Sequence, residues 1–256
     1  MAIVYIIGGR PICPVDDSSP SVWTLSGPLI FTTEVTELPA FPLVAATSKA
    51  LTAAGTSHAI TLPSGIVAGN LLLLFFATDG DNSVTDWDGF TQIYTGEDTR
   101  DISFHIGWKI AAGSDTCTLT VSDSEEGSHI CYRITGHDTS QMPEASTGSI
   151  ADTSTPDPDE LTPTGGAKDY LWIASEGNDH TETISAWPTN FADNQVAQAG
   201  PGSGSCGIGV CSYNLNASVL NPAAFTLSGS EQCIAVTVAV HPYVAIAFIP
   251  RIMSIT

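Results

Sequence analysis

Six consecutive apolar residues, Leu71-Leu72-Leu73-Leu74-Phe75-Phe76, leave this chain few ways to fold. A half-buried strand alternates apolar and polar residues, because successive side chains point to opposite faces. A run that is apolar at every position needs cover on both faces, as a central strand or as a buried helix segment. This run is short and ends in an acidic turn, Asp79-Gly80-Asp81-Asn82, which favours the strand. The chain must therefore supply a layer on each side of it.

The stretch recurs. The first copy spans Gly69 to Phe90: the apolar run, the acidic turn, then Trp87 and Phe90. The second spans Lys168 to Phe191: the run Tyr170-Leu171-Trp172-Ile173-Ala174, an acidic turn at Glu176-Gly177-Asn178-Asp179, then Trp187 and Phe191. Similar segments follow each copy in the same order. Phe104 to Lys109, Thr118-Leu119-Thr120, Ser124-Glu125 and Ile130 to Ile134 follow the first. Gly207 to Ser212, Thr226-Leu227-Ser228, Ser230-Glu231 and Ile234 to Val240 follow the second. Two units thus lie head to tail between about Leu43 and Pro242. Two copies are too few for a solenoid, which needs at least three. They suit two sheets of one sandwich.

The remaining pattern is of short strands. Ile102, Phe104, Ile106, Trp108 and Ile110 sit at period two, which predicts a half-buried strand with Ser103, His105, Gly107 and Lys109 on its other face. Thr116 to Val121 alternates as well, and Pro63-Ser64-Gly65 reads as a turn. A linker rich in Ser, Thr, Pro and Asp, Gln141 to Pro163, joins the units. The expected fold is all-β, a jelly-roll-like β-sandwich built from two duplicated strand sets over residues 43–242. Residues 1–42 lie outside the repeat. Prolines break them into an extended arm, with one strand expected at Ala2 to Ile7, and Glu34 to Leu38 shows no clear apolar period. An apolar tail, residues 243–256, also lies outside. Neither segment can bury its apolar residues alone. Ile3, Val4, Tyr5, Ile6, Ile246, Phe248 and Ile249 are therefore the candidate assembly contacts.

Charge excludes whole function classes. Seven Lys+Arg stand against 27 Asp+Glu, a net charge of -20. Nucleic-acid binding needs cations that displace phosphate counterions, so neither nucleic acid nor an anionic membrane is an expected partner. No apolar stretch is long enough to span a bilayer as a helix. Met1 to Ile7 is apolar but has no basic region before it, so it does not read as a secretory signal, and synthesis in a cytoplasm without export is expected. Six cysteines match no zinc or Cys-x-x-Cys spacing and read as buried thiols.

Catalytic motifs are missing. Asp79-Gly80-Asp81-Asn82, with Asp86 and Asp88, is dense enough in oxygens for calcium, but Phe90 stands where a calcium loop carries its twelfth-position Glu. His180-Thr181-Glu182 has the His-x-Glu form of zinc deaminases without their Pro-Cys-x-x-Cys partner. No Gly-x-Ser-x-Gly elbow occurs, and His105 and His129 could meet only across neighbouring strands. The reading is non-enzymatic, with no catalytic residue, no cofactor and no metal. Trp87 and Trp187 hold equivalent places in the two copies. They are candidate glycan contacts if exposed, and core caps if buried.

Several of these stretches resemble a group of structural proteins of tailed bacteriophages. The likeness lies in Thr61-Leu62-Pro63-Ser64-Gly65, Ala68-Gly69-Asn70-Leu71-Leu72-Leu73, Trp87-Asp88-Gly89-Phe90, Tyr132-Arg133-Ile134-Thr135-Gly136 and Ser230-Glu231-Gln232. It covers residues 43 to 242 and marks turns and core strands, so it carries over no active site. The resemblance implies a virion structural protein, made in the host cytoplasm. Such a protein is a capsid-exterior decoration or fibre-type piece, bound to other virion proteins and self-associating, with a homotrimer as the expected oligomer. The rival reading is a glycan-binding adhesion module.

Overall fold

The computed structural model describes residues 30–38, 41–98, 101–180, 182–199, 204–243 and 245–253. Its described residues are all-β, with every strand pair of its two six-stranded sheets antiparallel. Strand β1 (Ile30–Leu38) comes first. A six-stranded sheet follows, formed by β2 (Leu43–Ala59), β3 (Leu71–Asp79), β4 (Val84–Asp86), β5 (Thr91–Asp98), β6 (Ile102–Ile110) and β7 (Thr118–Thr135). Its order is β2-β7-β3-β6-β5, with β4 also on β7.

The second sheet takes β8 (Glu144–Ala145), β9 (Ser149–Thr153), β10 (Lys168–Asp179), β12 (Ala192–Gln198), β13 (Cys206–Ala217) and β15 (Glu231–Val240), in the order β12-β13-β10-β15-β8 with β9 also on β15. Strands β11 (Ile184–Ala186) and β14 (Thr226–Leu227) pair with each other. The two sheets thus have the same strand order, and each has a short strand following its central one. They succeed one another along the chain without exchanging strands, so the jelly-roll likeness goes no further than two antiparallel sheets.

The apolar run of β3 shows why two layers of cover are needed. Leu71, Leu73, Phe75 and Ala77 face the other sheet and pack with Leu171, Ile173, Ile208, Val210, Ile234, Val236 and Val238. Leu72, Leu74 and Phe76 face the opposite way and are equally buried. Their cover comes from the same sheet folding over itself. The β2–β7 ladder shifts register near Thr52 and Gly55, and beyond the shifts Ser57 pairs with Thr120 and Ala59 with Thr118. Ile60, Leu119 and Val121 thereby come to rest on Leu72, Leu74 and Phe76. Each such side chain removed from water contributes about 1.5–3 kcal/mol. In the second sheet, Tyr170 and Trp172 pack under Leu161, and Ala174 and Cys211 under Phe225 and Ile184.

Three expectations change. Strand β6 is not half-buried: Ser103 and His105 are fully buried with their apolar neighbours, because Trp87 and the backbone at Gly80 and Asn82 cover that face. Glu176-Gly177-Asn178-Asp179 is not a turn but the last part of β10, and Glu176 is fully buried. Two glycines on β13 allow this: a Cβ at Gly209 would lie 2.7 Å from Glu176 Oε1, and one at Gly207 2.7 Å from Asn178 Oδ1. Finally, Glu34 to Leu38, which shows no apolar period, belongs to β1, since a strand needs a hydrogen-bonded partner and β1 has one in β16 (Ala245–Met253). Residues 37–246 form one unit, and residues 30–36 and 247–253 of this ribbon fall in another.

Candidate functional site

The end of each central strand carries an aspartate. Asp79 closes β3 and Asp179 closes β10, one hundred positions apart in the sequence. Because the sheets face each other, the two carboxyls meet and share a hydrogen bond. Burial, then the negative charges of Asp179 and Glu125, push Asp79 up to about 6. Burial also raises Asp179, while His180 and its own hydrogen bonds pull the other way.

His180 follows Asp179 in the left-handed region, at φ 61°. Its backbone N–H donates to Asp179 Oδ1 at 2.9 Å and to the Ser205 carbonyl at 2.8 Å. This holds the ring with Nδ1 2.9 Å from Asp179 Oδ2 and 3.5 Å from Glu231 Oε2. Glu231 is the first residue of β15. Asp179, His180 and Glu231 each offer one ligand atom, and these atoms lie within 4.8 Å of one another.

The residues singled out in the sequence go to several places. Of the acidic loop, only Asp79 reaches this cluster. Asp86 Oδ1 accepts the Asp88 N–H at 2.9 Å, Asp88 Oδ2 accepts the Thr118 N–H at 2.8 Å, and Asn82 Oδ1 accepts the Asp123 N–H at 2.8 Å. These side chains build turns. The His-x-Glu pair separates: His180 joins Asp179, whereas Glu182 accepts from the Ser228 hydroxyl.

His105 and His129 do not sit on neighbouring strands: they flank Phe76 from β6 and β7, on either side of β3, with His58 edge-on to the same ring at 5.2 Å. All three histidines are fully buried. Burial pushes His105 down to about 4, and burial with the neighbouring His58 does the same to His129. The Thr61 N–H donates to His129 Nε2 at 2.9 Å, so that nitrogen holds no proton and the neutral ring carries its proton on Nδ1.

Trp87 and Trp187 are both half-buried. Trp87 lies over Gly107 and bonds Gln92 Oε1 through Nε1 at 3.2 Å. Trp187 packs edge-on to the buried Phe225 at 5.6 Å. Ile246, Phe248 and Ile249 lie in β16, while Ile3, Val4, Tyr5 and Ile6 lie outside the described residues. The five described cysteines are free and buried.

Sequence reasoning missed the meeting of Asp79, Asp179, His180 and Glu231. The constant offset of one hundred positions between Asp79 and Asp179, and between Trp87 and Trp187, is the signal that could have found it. The turn assigned at Glu176 hid it.

A second assembly joins three of the stretches singled out in the sequence. Arg133 on β7 donates from Nε to the Ser64 carbonyl at 3.0 Å, from Nη2 to the Ala45 carbonyl at 3.3 Å, and from Nη1 to Asn70 Oδ1 at 3.5 Å. Three of the stretches, at Thr61–Gly65, Ala68–Leu73 and Tyr132–Gly136, thus meet around one guanidinium. Compared with protein-family models, curated proteins and solved structures, the chain finds no match.

Proposed function

We propose that this chain is a non-enzymatic structural component of a tailed-bacteriophage particle, a capsid-exterior decoration or fibre-type piece attached through the segments that flank its sandwich. The β1–β16 ribbon carries this reading. It joins residues before the sandwich to residues after it, in a sheet of two strands. An isolated two-stranded ribbon is marginal in water and needs further strands or an apolar surface to hold it. The run Ala245 to Ile249 is apolar, as an element that adds to a neighbour's sheet would be. The acidic remainder then faces solvent, consistent with a soluble particle surface.

The equal strand order of the two sheets supports an origin by duplication of one unit, with the flanking ribbon, which has no counterpart in the repeat, added for attachment. The glycan-binding reading has only Trp87 and Trp187 to stand on, and both pack against core atoms.

Light scattering tests the reading. The full chain is expected to be an oligomer, with a trimer the expected size, and residues 41–243 a folded monomer with an unchanged circular-dichroism spectrum. A full chain that stays monomeric, and does not attach to particles of its phage, would remove the ribbon from any role in assembly.

A further inference from the structure

The geometry points to a site for a divalent transition cation of the Zn2+ type, formed by His180 Nδ1, Asp179 and Glu231, with Asp79 from the opposite sheet as the neighbouring carboxylate. The inference goes beyond the structural role proposed above and does not depend on it.

The donor set is mixed, one imidazole and several carboxylates. Borderline cations such as Zn2+ take it, whereas Ca2+ prefers oxygens alone. Convergence is the first observation: three ligand atoms from β10, its following residue and β15 lie within 4.8 Å. The state of His180 is the second. Its Nδ1 is shut off from solvent and has no hydrogen bond of good geometry. It nevertheless points between Asp179 Oδ2 at 2.9 Å and Glu231 Oε2 at 3.5 Å. That nitrogen is therefore aimed at the point where a cation held by both carboxylates would lie.

The place gathers more than one negative charge. Asp79 is in contact with Asp179, and Glu125 and Asp101 act on the pair as further negative charges. A divalent cation offsets two and accepts from the nitrogen and the carboxylates together. The two sheets supply corresponding residues. Asp79 and Asp179 each end a central strand, Glu125 lies on β7 and Glu231 on β15, the strands that neighbour β3 and β10. One copy differs by carrying His180 where the other has Gly80. The imidazole makes the second copy's end a metal site rather than a plain acidic turn.

The test uses the full chain freed of metal with EDTA. Calorimetric titration with ZnCl2 near pH 7.5 should show one site per chain, and melting should shift upward as Zn2+ is added. His180→Asn keeps a residue that tolerates left-handed backbone but removes the imidazole. Glu231→Gln keeps the shape and removes the charge. Each should weaken Zn2+ binding by about tenfold or more, which is about 1.4 kcal/mol, and leave the metal-free melting temperature near that of the parent. Three results would overturn the site. They are no heat and no shift with Zn2+, equal Zn2+ binding by His180→Asn, or a shift with Ca2+ as large as with Zn2+. If a variant fails to fold, Asp79→Asn gives the same reading through the neighbouring carboxylate.

Discussion

Glu176 is the residue on which the most follows from the least. It sits fully buried on β10, and its carboxylate accepts from Asn178 Nδ2 at 3.2 and 3.0 Å. Burial pushes its carboxyl up to about 8, against the Asn178 and Gly209 N–H groups that favour the charged form. A carboxyl raised on folding binds more protons in the native state than in the unfolded one. Its favourable contribution is complete below the unfolded pKa, near 4.3, and is lost as pH rises to about 8. The expected slope in that window is about 1.4 kcal/mol per pH unit. Glu176→Gln keeps the amide-like shape and removes the titration. The difference in stability between parent and variant, measured by denaturant unfolding from pH 5 to 9, should therefore grow in the variant's favour up to about 8 and then level off. A difference that does not change with pH would mean that Glu176 is solvated in the native state. The buried histidines act in the opposite sense. His58, His105 and His129 are held below their ordinary values by burial, so what they contribute is present above about 6.5 and is lost in acid.

At the scale of elements, the packing of Trp87 on β6 is the contact most open to test. A Cβ at Gly107 would lie 2.8 Å from Trp87 Cε3, closer than side-chain atoms approach. Gly107→Ala should cost about 1–3 kcal/mol by overpacking, read as a lower denaturation midpoint. Trp87→Ala should also destabilise, by removing cover from Phe76 and His105. The double variant should lose less than the sum, because the added methyl then meets space left by the indole. Additive losses would mean that Trp87 does not rest on Gly107.

The same elements show what could be read in the sequence and what could not. Strand β3 was legible because its own residues state that both faces are covered. Strand β6 was legible as a strand but not in its burial, since the cover on His105 comes from residues that precede it by about one strand and a turn. The end of β10 was illegible. Glu, Gly, Asn and Asp in a row have the composition of a turn, and only Gly207 and Gly209 on the neighbouring strand make room for them in a sheet. Strand β1 was illegible for a related reason: its partner β16 lies more than two hundred residues away. The aspartate pair depends on two sheets facing each other, and spacing along a chain does not encode that.

The whole molecule poses a question of independence. Each sheet is made of one continuous stretch of chain and folds its own cover over its outer face. The inner faces have no such cover. Leu71, Leu73, Phe75, Phe104, Ile106, Ile130 and Tyr132 in the first sheet are buried only because the second sheet lies against them. A first half made alone, residues 41–138, should therefore fold its sheet and its outer cluster but expose a contiguous apolar face. Faces of that kind associate. Since the two sheets have the same strand order, a second copy of the first half presents an approximate substitute for the missing partner. The half is expected to form dimers or larger assemblies when measured by light scattering, and to give a one-to-one complex when co-expressed with residues 139–243. A soluble monomeric half with native-like strand content would mean that the central core contributes less than its burial implies. Self-association, with exchange into the mixed complex, would show that recognition lies in the inner faces. The acidic end with its single histidine would then be one of the features by which the two halves prefer each other.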